Sequence, residues 1–319
     1  MREIYFDNSA TTKPYPEVVE LMMKTLTEDY GNPSSKHTKG FDAEKYFRHA
    51  REQVAATLKV KPKEIFFTSG GTESNNTVIF GTAMAKRKQG KHIISSAFEH
   101  AAIYRPLDVL VELGYEVTYL PVDQKGHISL DDLRAAIRPD TILVTIMTVN
   151  NEMGAIEPIE EIGRVVKECN PNTWFHTDAI QAYGKIPLRP KLQHVDMMSV
   201  SGHKLHGPKG VGFLYKDEKI RLRPLIYGGG QQEDMRSGTH DVPGIAGLGL
   251  AAEMACAHLE ENKASLEALK DYFIDSLETL EGVTINSERG SLSAPNILSV
   301  SFEKVRAEVL LHALEEKGI

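Results

Sequence analysis

The 319 residues carry 41% hydrophobic and 25% charged side chains, the usage of an ordinary globular protein. The formal net charge is −7 and no polybasic run stands out, which argues against nucleic acid and anionic membrane as partners. No apolar run is long enough to span a bilayer, the first residues lack the build of a secretion signal, and two cysteines make no disulfide framework, so a reducing cytoplasm is expected. The length favours one large domain with a smaller partner.

In chain order, Ile4-Tyr5-Phe6 reads as a short strand before a polar turn, 7–12, and Pro14 and Pro16 lead into a helix over about 17–26. Tyr46, Phe47, Ala50, Val54 and Leu58 recur at helical spacing, so a helix from about Ala43 buries one face. Residues 64–68 read as a buried strand. It runs into Ser69-Gly70-Gly71-Thr72-Glu73-Ser74 and then an apolar helix through Ala85. Strand, glycines, hydroxyl and helix make a phosphate cradle, because glycine lets backbone N–H groups approach an anion at the positive end of the helix. A plain helix start capped by Ser69 or Thr72 is the alternative.

Residues 92–96 form the next strand, and His100 follows where a helix begins, a usual place for ligand contacts in an open α/β sheet. A strand at 116–121 and a helix at 130–137 come next. The apolar run 141–149 has the character of a central parallel strand and ends in Asn150-Asn151-Glu152-Met153-Gly154. After a helix at 159–167, the strand 173–181 carries Asp178 near its end. A carboxylate there needs a partner, either a salt bridge or a cationic ligand such as a pyridinium.

The stretch 199–212, SVSGHKLHGPKGVG, places Lys204 on a tight loop between strand-like runs 195–200 and 211–215. A desolvated lysine loses charge readily and its neutral amine is the nucleophile that condenses with an aldehyde. A solvent-facing lysine between turns is the alternative. A zinc site built on His203 and His206 lacks a cysteine or carboxylate at ligand spacing. A glycine-containing loop covers 225–241. Helical periodicity returns over 245–280, followed by strands at 283–286 and 297–302 and a helix at 308–317.

These features fall in one order, each at an expected strand end. With the stretches FDNSATT, SGGTES, EHAA, VNNEMG, HTDAIQ, SGHKLHGPKGVG, RSGT and APNILSVSF, the chain resembles the cysteine desulfurases. These are pyridoxal 5'-phosphate (PLP) enzymes of the class V aminotransferase family that supply sulfur for iron–sulfur cluster assembly. The RSGT and GPKG forms look like the housekeeping branch.

The resemblance implies an α/β fold of the PLP-dependent transferase fold type I, aspartate-aminotransferase-like. It would have a mostly parallel seven-stranded sheet in a large PLP-binding domain, 15–250, and a smaller α+β domain made of 1–14 and 251–319. It implies that Lys204 holds PLP covalently and moves protons at the substrate Cα. Asp178 would face the pyridinium nitrogen and Gln181 the phenolic oxygen. Gly71, Thr72, Ser201 and His203 would hold the phosphate. His100 would stack on the ring and act as acid and base, and Asn151 would contact cofactor or substrate oxygen. Thr239 would reach the phosphate of the neighbouring subunit of a homodimer.

The implied reaction takes sulfur from L-cysteine, leaves L-alanine and passes a persulfide to an iron–sulfur scaffold or sulfur-carrier protein. A selenocysteine lyase-like enzyme and a non-catalytic scaffold are the alternatives. In this family a Ser/Gly-rich loop with the nucleophilic cysteine, and later a carboxylate-binding arginine, follow a Leu-Glu-x-x-Gly-Ile-like stretch. Here that stretch is Leu314–Ile319, so a segment beyond these residues is expected to carry both. Cys256, among Ala, Met and Leu, reads as a small buried hydrophobe, and Cys169 as incidental.

Overall fold

Continuous apolar strands need cover on both faces, and the chain supplies it with alternating helices. The computed structural model describes residues 4–319. The main sheet contains β1 (Ile65–Thr68), β2 (His92–Ser96), β3 (Glu116–Leu120), β4 (Thr141–Thr145), β5 (Trp174–Asp178), β6 (Met197–Ser201) and β7 (Gly212–Lys216). Their order is β1-β7-β6-β5-β4-β2-β3. Only β7 runs against the others, so the expected mostly parallel seven-stranded sheet is present.

Successive strand residues enter opposite cores, as the two-residue period of a strand requires. Phe67, Ile94, Val144 and Met198 face one core with Val54 of α2 (Thr38–Leu58), Ile162 of α6 (Ile159–Cys169) and Leu248 of α7 (Val242–Ala257). Their neighbours Phe66, Ile93, Leu143 and Met197 face the other, against Val78 of α3 (Gly71–Lys86) and Ile103 of α4 (Ala101–Glu112). Helices α1 (Pro16–Thr27) and α5 (Leu130–Ala136) complete the layers. Beyond α7 come α8 (Leu259–Leu277), a two-stranded antiparallel sheet of β8 (Val283–Ile285) and β9 (Val300–Phe302), and α9 (Ala307–Glu315).

Two expectations are corrected. Ile4–Phe6 is not a strand. Its backbone N–H at Ile4 donates to the Gly318 carbonyl at 2.9 Å, but no strand among the described residues lies alongside to form a ladder. The single helix expected over 245–280 is two helices bent by 70° around His258. Helix α7 is apolar on nearly every side and lies in the core, whereas α8 opens with Glu260 and Glu261 and turns to the surface. No single helix among the described residues is long and apolar enough to cross a membrane.

The β1 edge is closed by a side chain. Buried Gln232 accepts from the Phe67 N–H at 2.7 Å and donates to the Phe67 carbonyl at 2.8 Å, in the manner of another strand. Gln232, Glu233 and Asp234 all have left-handed φ of 50°, 59° and 62°, an unfavourable run for side-chain-bearing residues that holds the amide in place. Gln232→Ala leaves both Phe67 groups without partners. It should cost about 2–4 kcal/mol in urea unfolding, the price of two orphaned buried backbone groups.

Candidate active site

The C-terminal ends of β1, β2, β4, β5 and β6 meet at a cavity of about 750 Å³. Each end delivers residues for a local reason. After β1, Gly70 takes φ 145°, accessible to glycine, and turns the chain into α3. A Cβ on Gly71 would come within 2.0 Å of Ile180 Cδ1, so a larger residue there would have to push the Ile180 side chain aside. The α3 N-terminus has no side-chain cap, and Gly71 and Thr72 at its start line the cavity with their N–H groups at the positive end of the helix.

After β2, His100 caps α4 by accepting from the Ala102 N–H through Nδ1 at 3.1 Å. When neutral, that ring carries its proton on Nε2. Asn151 enters from the turn after β4. At the end of β5, Asp178 is buried and accepts from Asn75 Nδ2 at 2.7 Å and from the Ile180 N–H at 3.0 Å. Burial raises its pKa, while these two donors and the charges of His100 and Lys204 oppose the rise. Gln181 donates to the Ser9 carbonyl at 2.9 Å and leaves its Oε1 buried without a partner.

After β6, Ser201, His203 and Lys204 enter from a short 3-10 turn. Burial lowers the Lys204 pKa, opposed by Asp7 and Asp178. Its amine donates to the carbonyls of Ser9 and, at 2.9 Å, Ala10. His203 is held neutral, its pKa brought down to about 4 by burial and by Lys204, Lys209 and Lys185. Among the described residues no group of three or more His, Cys, Asp or Glu is placed to hold a metal ion. His203 and His206 instead bond to Thr11 and to the Lys13 carbonyl.

The family signature described as aminotransferase class-V matches residues 4–319. The chain belongs to the class-V aminotransferase family. Within this PLP-dependent family it is a homologue of the cysteine desulfurases. It is 46% identical to "Cysteine desulfurase IscS" of Methanosarcina thermophila, with all of this chain and 78% of that protein covered. It is 45% identical to the protein of the same name in Dictyoglomus turgidum, of which it covers 80%. A solved structure described as a NifS-like protein superposes with TM-score 0.97 at 42% identity, over 100% of this chain and 87% of that one. Another, described as SspA in complex with cysteine, gives 0.86 at 36% identity, over 99% and 87%.

Of the residues anticipated from sequence, Gly71, Thr72, His100, Asn151, Asp178, Gln181, Ser201, His203 and Lys204 all line this one cavity of the class-V fold. Thr239 does not. It is exposed on the loop that follows β7. Sequence reading missed the wall formed by Ser9, Ala10 and Thr11, although FDNSATT was noted as a stretch. It also missed Asn75 behind Asp178, and the ion pair that ties the Thr239 loop to α3.

In that ion pair Arg236 Nε and Nη2 donate to Glu73 Oε1 and Oε2 at 3.0 and 3.2 Å, while Ser69 N–H donates to Oε2 at 2.8 Å. Burial pushes the Glu73 pKa up, but Arg236 and Ser69 outweigh it and the carboxyl ends below its usual range. A depressed carboxylate stabilises the fold above its unfolded pKa and loses that contribution as pH falls through the folded one. Arg236→Ala should therefore destabilise by about 1–3 kcal/mol at pH 7, with the gap to the parent closing as pH falls below about 4. Urea unfolding at both pH values checks this.

Proposed function

We propose that these residues form the cofactor and substrate site of a cysteine desulfurase, with PLP carried on Lys204. The observation that carries the reading is the convergence on one cavity of a partly desolvated lysine, a buried carboxylate, a glutamine amide and an uncapped helix N-terminus. This set of groups fits the amine-reactive aldehyde, ring nitrogen, phenolic oxygen and phosphate of PLP in turn, with the Gln181 amide N–H leaving the Ser9 carbonyl for the phenolic oxygen. When bound, the cofactor supplies an electron-withdrawing ring that takes up the electron pair left at the substrate Cα.

The chain's own groups do the rest. Lys204 presents a nucleophilic amine and moves the Cα proton. Asp178 would set a negative charge opposite the ring nitrogen, and Gln181 would meet the phenolic oxygen. Gly71, Thr72, Ser201 and His203 would hold the phosphate, with the neutral His203 as a hydrogen-bonding group. His100 would cover the ring and offer Nε2 for proton transfer at the substrate, and Asn151 would meet a cofactor or substrate oxygen.

L-Cysteine is the substrate. A protein thiolate attacks its sulfur, the S–S bond forms as the C–S bond breaks, and the pair left on carbon takes up protons to give L-alanine. The acceptor of the persulfide sulfur is an iron–sulfur scaffold or sulfur-carrier protein, and the setting is the cytoplasm, in keeping with two unpaired cysteines. The exposed position of Thr239 suits a role at the phosphate of a second subunit in a homodimer. Of the smaller domain expected from 1–14 and 251–319, residues 1–3 lie outside the described residues, and Ala251, Ala252 and Ala255 of α7 pack in the main core, so the smaller domain would be 4–14 with the residues after α7.

Neither thiol lines the cavity. Cys169 is exposed on α6, and Cys256 is half-buried on α7, where burial pushes its pKa up and away from thiolate. A polypeptide of these 319 residues should therefore bind PLP without sustained release of sulfide from cysteine. Borohydride reduction followed by peptide mass mapping should find one PLP on Lys204, lost in Lys204→Ala. An adduct on another lysine would overturn the assignment of Lys204, and steady sulfide and alanine production by this polypeptide would overturn the reading of its cysteines.

A further inference from the structure

The buried amide of Asn75 has an unusual balance of bonds. Its Nδ2 donates to Asp178 at 2.7 Å, from a residue 103 positions earlier in the chain. Both residues are nearly inaccessible, at 0% and 3% exposure. Its Oδ1 is buried and has no partner among the described residues. The amide cannot turn over, because the reverse orientation would press one acceptor against another. An apolar side chain of similar size would avoid the cost of an orphaned buried carbonyl. Packing alone therefore favours a different residue, and what asparagine adds is the donor to the carboxylate.

We propose that Asn75 is a positioning residue that acts through Asp178, holding one carboxylate oxygen in place and in its charged form so that Asp178 meets a cationic ring nitrogen as a fixed anion. The inference rests on the reading of Asp178 as the partner of PLP. Asn75 lies one turn into α3, the helix whose N-terminus lines the same cavity, so the bond also joins the proposed phosphate cradle to the end of β5.

The groups around Asp178 set the electrostatic case. Burial raises its pKa, and the Ile180 N–H, Asn75, His100 and Lys204 oppose that rise. Glu99, beside His100, is a further carboxyl near it and is itself pushed up to about 8 by burial. From β4 and β6 it is backbone that meets this strand end, through the Thr148 N–H on the Asp178 carbonyl and the Ala179 N–H on the Ser199 carbonyl. Removing the Asn75 donor favours the neutral carboxyl, so Asp178 then takes up its proton at a higher pH.

The test compares wild type, Asn75→Leu and Asn75→Asp. PLP affinity is measured by fluorescence quenching across pH on protein stripped of cofactor and reloaded, with urea unfolding of each variant alongside. Asn75→Leu should bind PLP about tenfold to a hundredfold more weakly near neutral pH, the range for one hydrogen bond to a buried charge. Its low-pH limb of binding should move up, and its stability should match or exceed the parent's. Asn75→Asp should affect the other limb. At low pH a proton shared by the two carboxyls restores the bond, and at high pH two like charges meet, so the high-pH limb moves down.

Unchanged affinity and limbs in both variants would overturn the proposal, as would lost stability in Asn75→Leu with affinity retained, which marks a packing role. Should Asn75→Leu fail to fold, Asn75→Ser lacks the same donor contact and gives the same reading. Absence of a reducible PLP adduct on Lys204 in the wild type would instead remove the functional reading beneath the inference.

Discussion

Six of the seven main strands run the same way, and this shared direction is the constraint on which the rest depends. Parallel neighbours need a crossover, most of the crossovers here carry a helix, and helices on both faces bury every strand but the edge strand β3 almost completely. The polar residues that end each strand then have one place to go, the edge where the strands stop. Ser69-Gly70, His100, Asn151, Asp178 and Ser201–Lys204 are up to 135 residues apart in the chain, as from Ser69 to Lys204, yet they share one cavity because their strands point at it. The lone reversed strand, β7, lets the chain leave the Lys204 turn and return at once through the sheet, so the lysine sits on a tight, well-tethered corner.

The N-terminal turn is the second half of that corner. Thr12 donates from both its N–H and its hydroxyl to the His203 carbonyl, each at 2.8 Å, and its hydroxyl accepts from the His206 N–H at 2.7 Å. Tyr15 stacks on His206 with ring centres 4.6 Å apart. Ser9 and Ala10 offer carbonyls to the Lys204 amine, and Ser9 also receives Gln181. A segment without regular structure is thus fixed by hydrogen bonds to the most chemically specialised turn in the molecule. Loops positioned by a rigid scaffold in this way are where binding groups gather.

What was legible in the sequence follows from which signals are local. Apolar runs and glycine-hydroxyl turns name strands and their ends directly, and nine of the ten site residues implied by the family resemblance come together at those ends. Thr239 is the tenth, and its proposed role needs a second subunit, which a single chain's contacts do not supply. The Ile4–Phe6 strand failed because a short apolar and aromatic run says nothing about whether a neighbour exists to pair with. The break at His258 was hidden because helical spacing persists on both sides, and only the change from all-round burial in α7 to a charged face in α8 explains the bend. Asn75 and the Arg236–Glu73 pair were invisible for a different reason. Their partners lie 103 and 163 positions away, and no periodicity encodes that distance.

The buried acids of the site show how neighbouring carboxyls can be kept in different states. Glu99 accepts from the Ser96 hydroxyl and the Met147 N–H, both at 2.8 Å through Oε1, yet its Oε2 has no partner and burial carries its pKa to about 8. At neutral pH most of it holds a proton. Asp178 has both oxygens engaged by donors and two cationic or protonatable neighbours, His100 and Lys204, to favour its charge. Were both acids ionised, each would raise the other's pKa, and the amine and imidazole beside them would be drawn toward the wrong carboxyl. Neutral Glu99 removes that competition. The carboxyl with donors on both oxygens then stands at the end of β5, where a cationic ring nitrogen would find it.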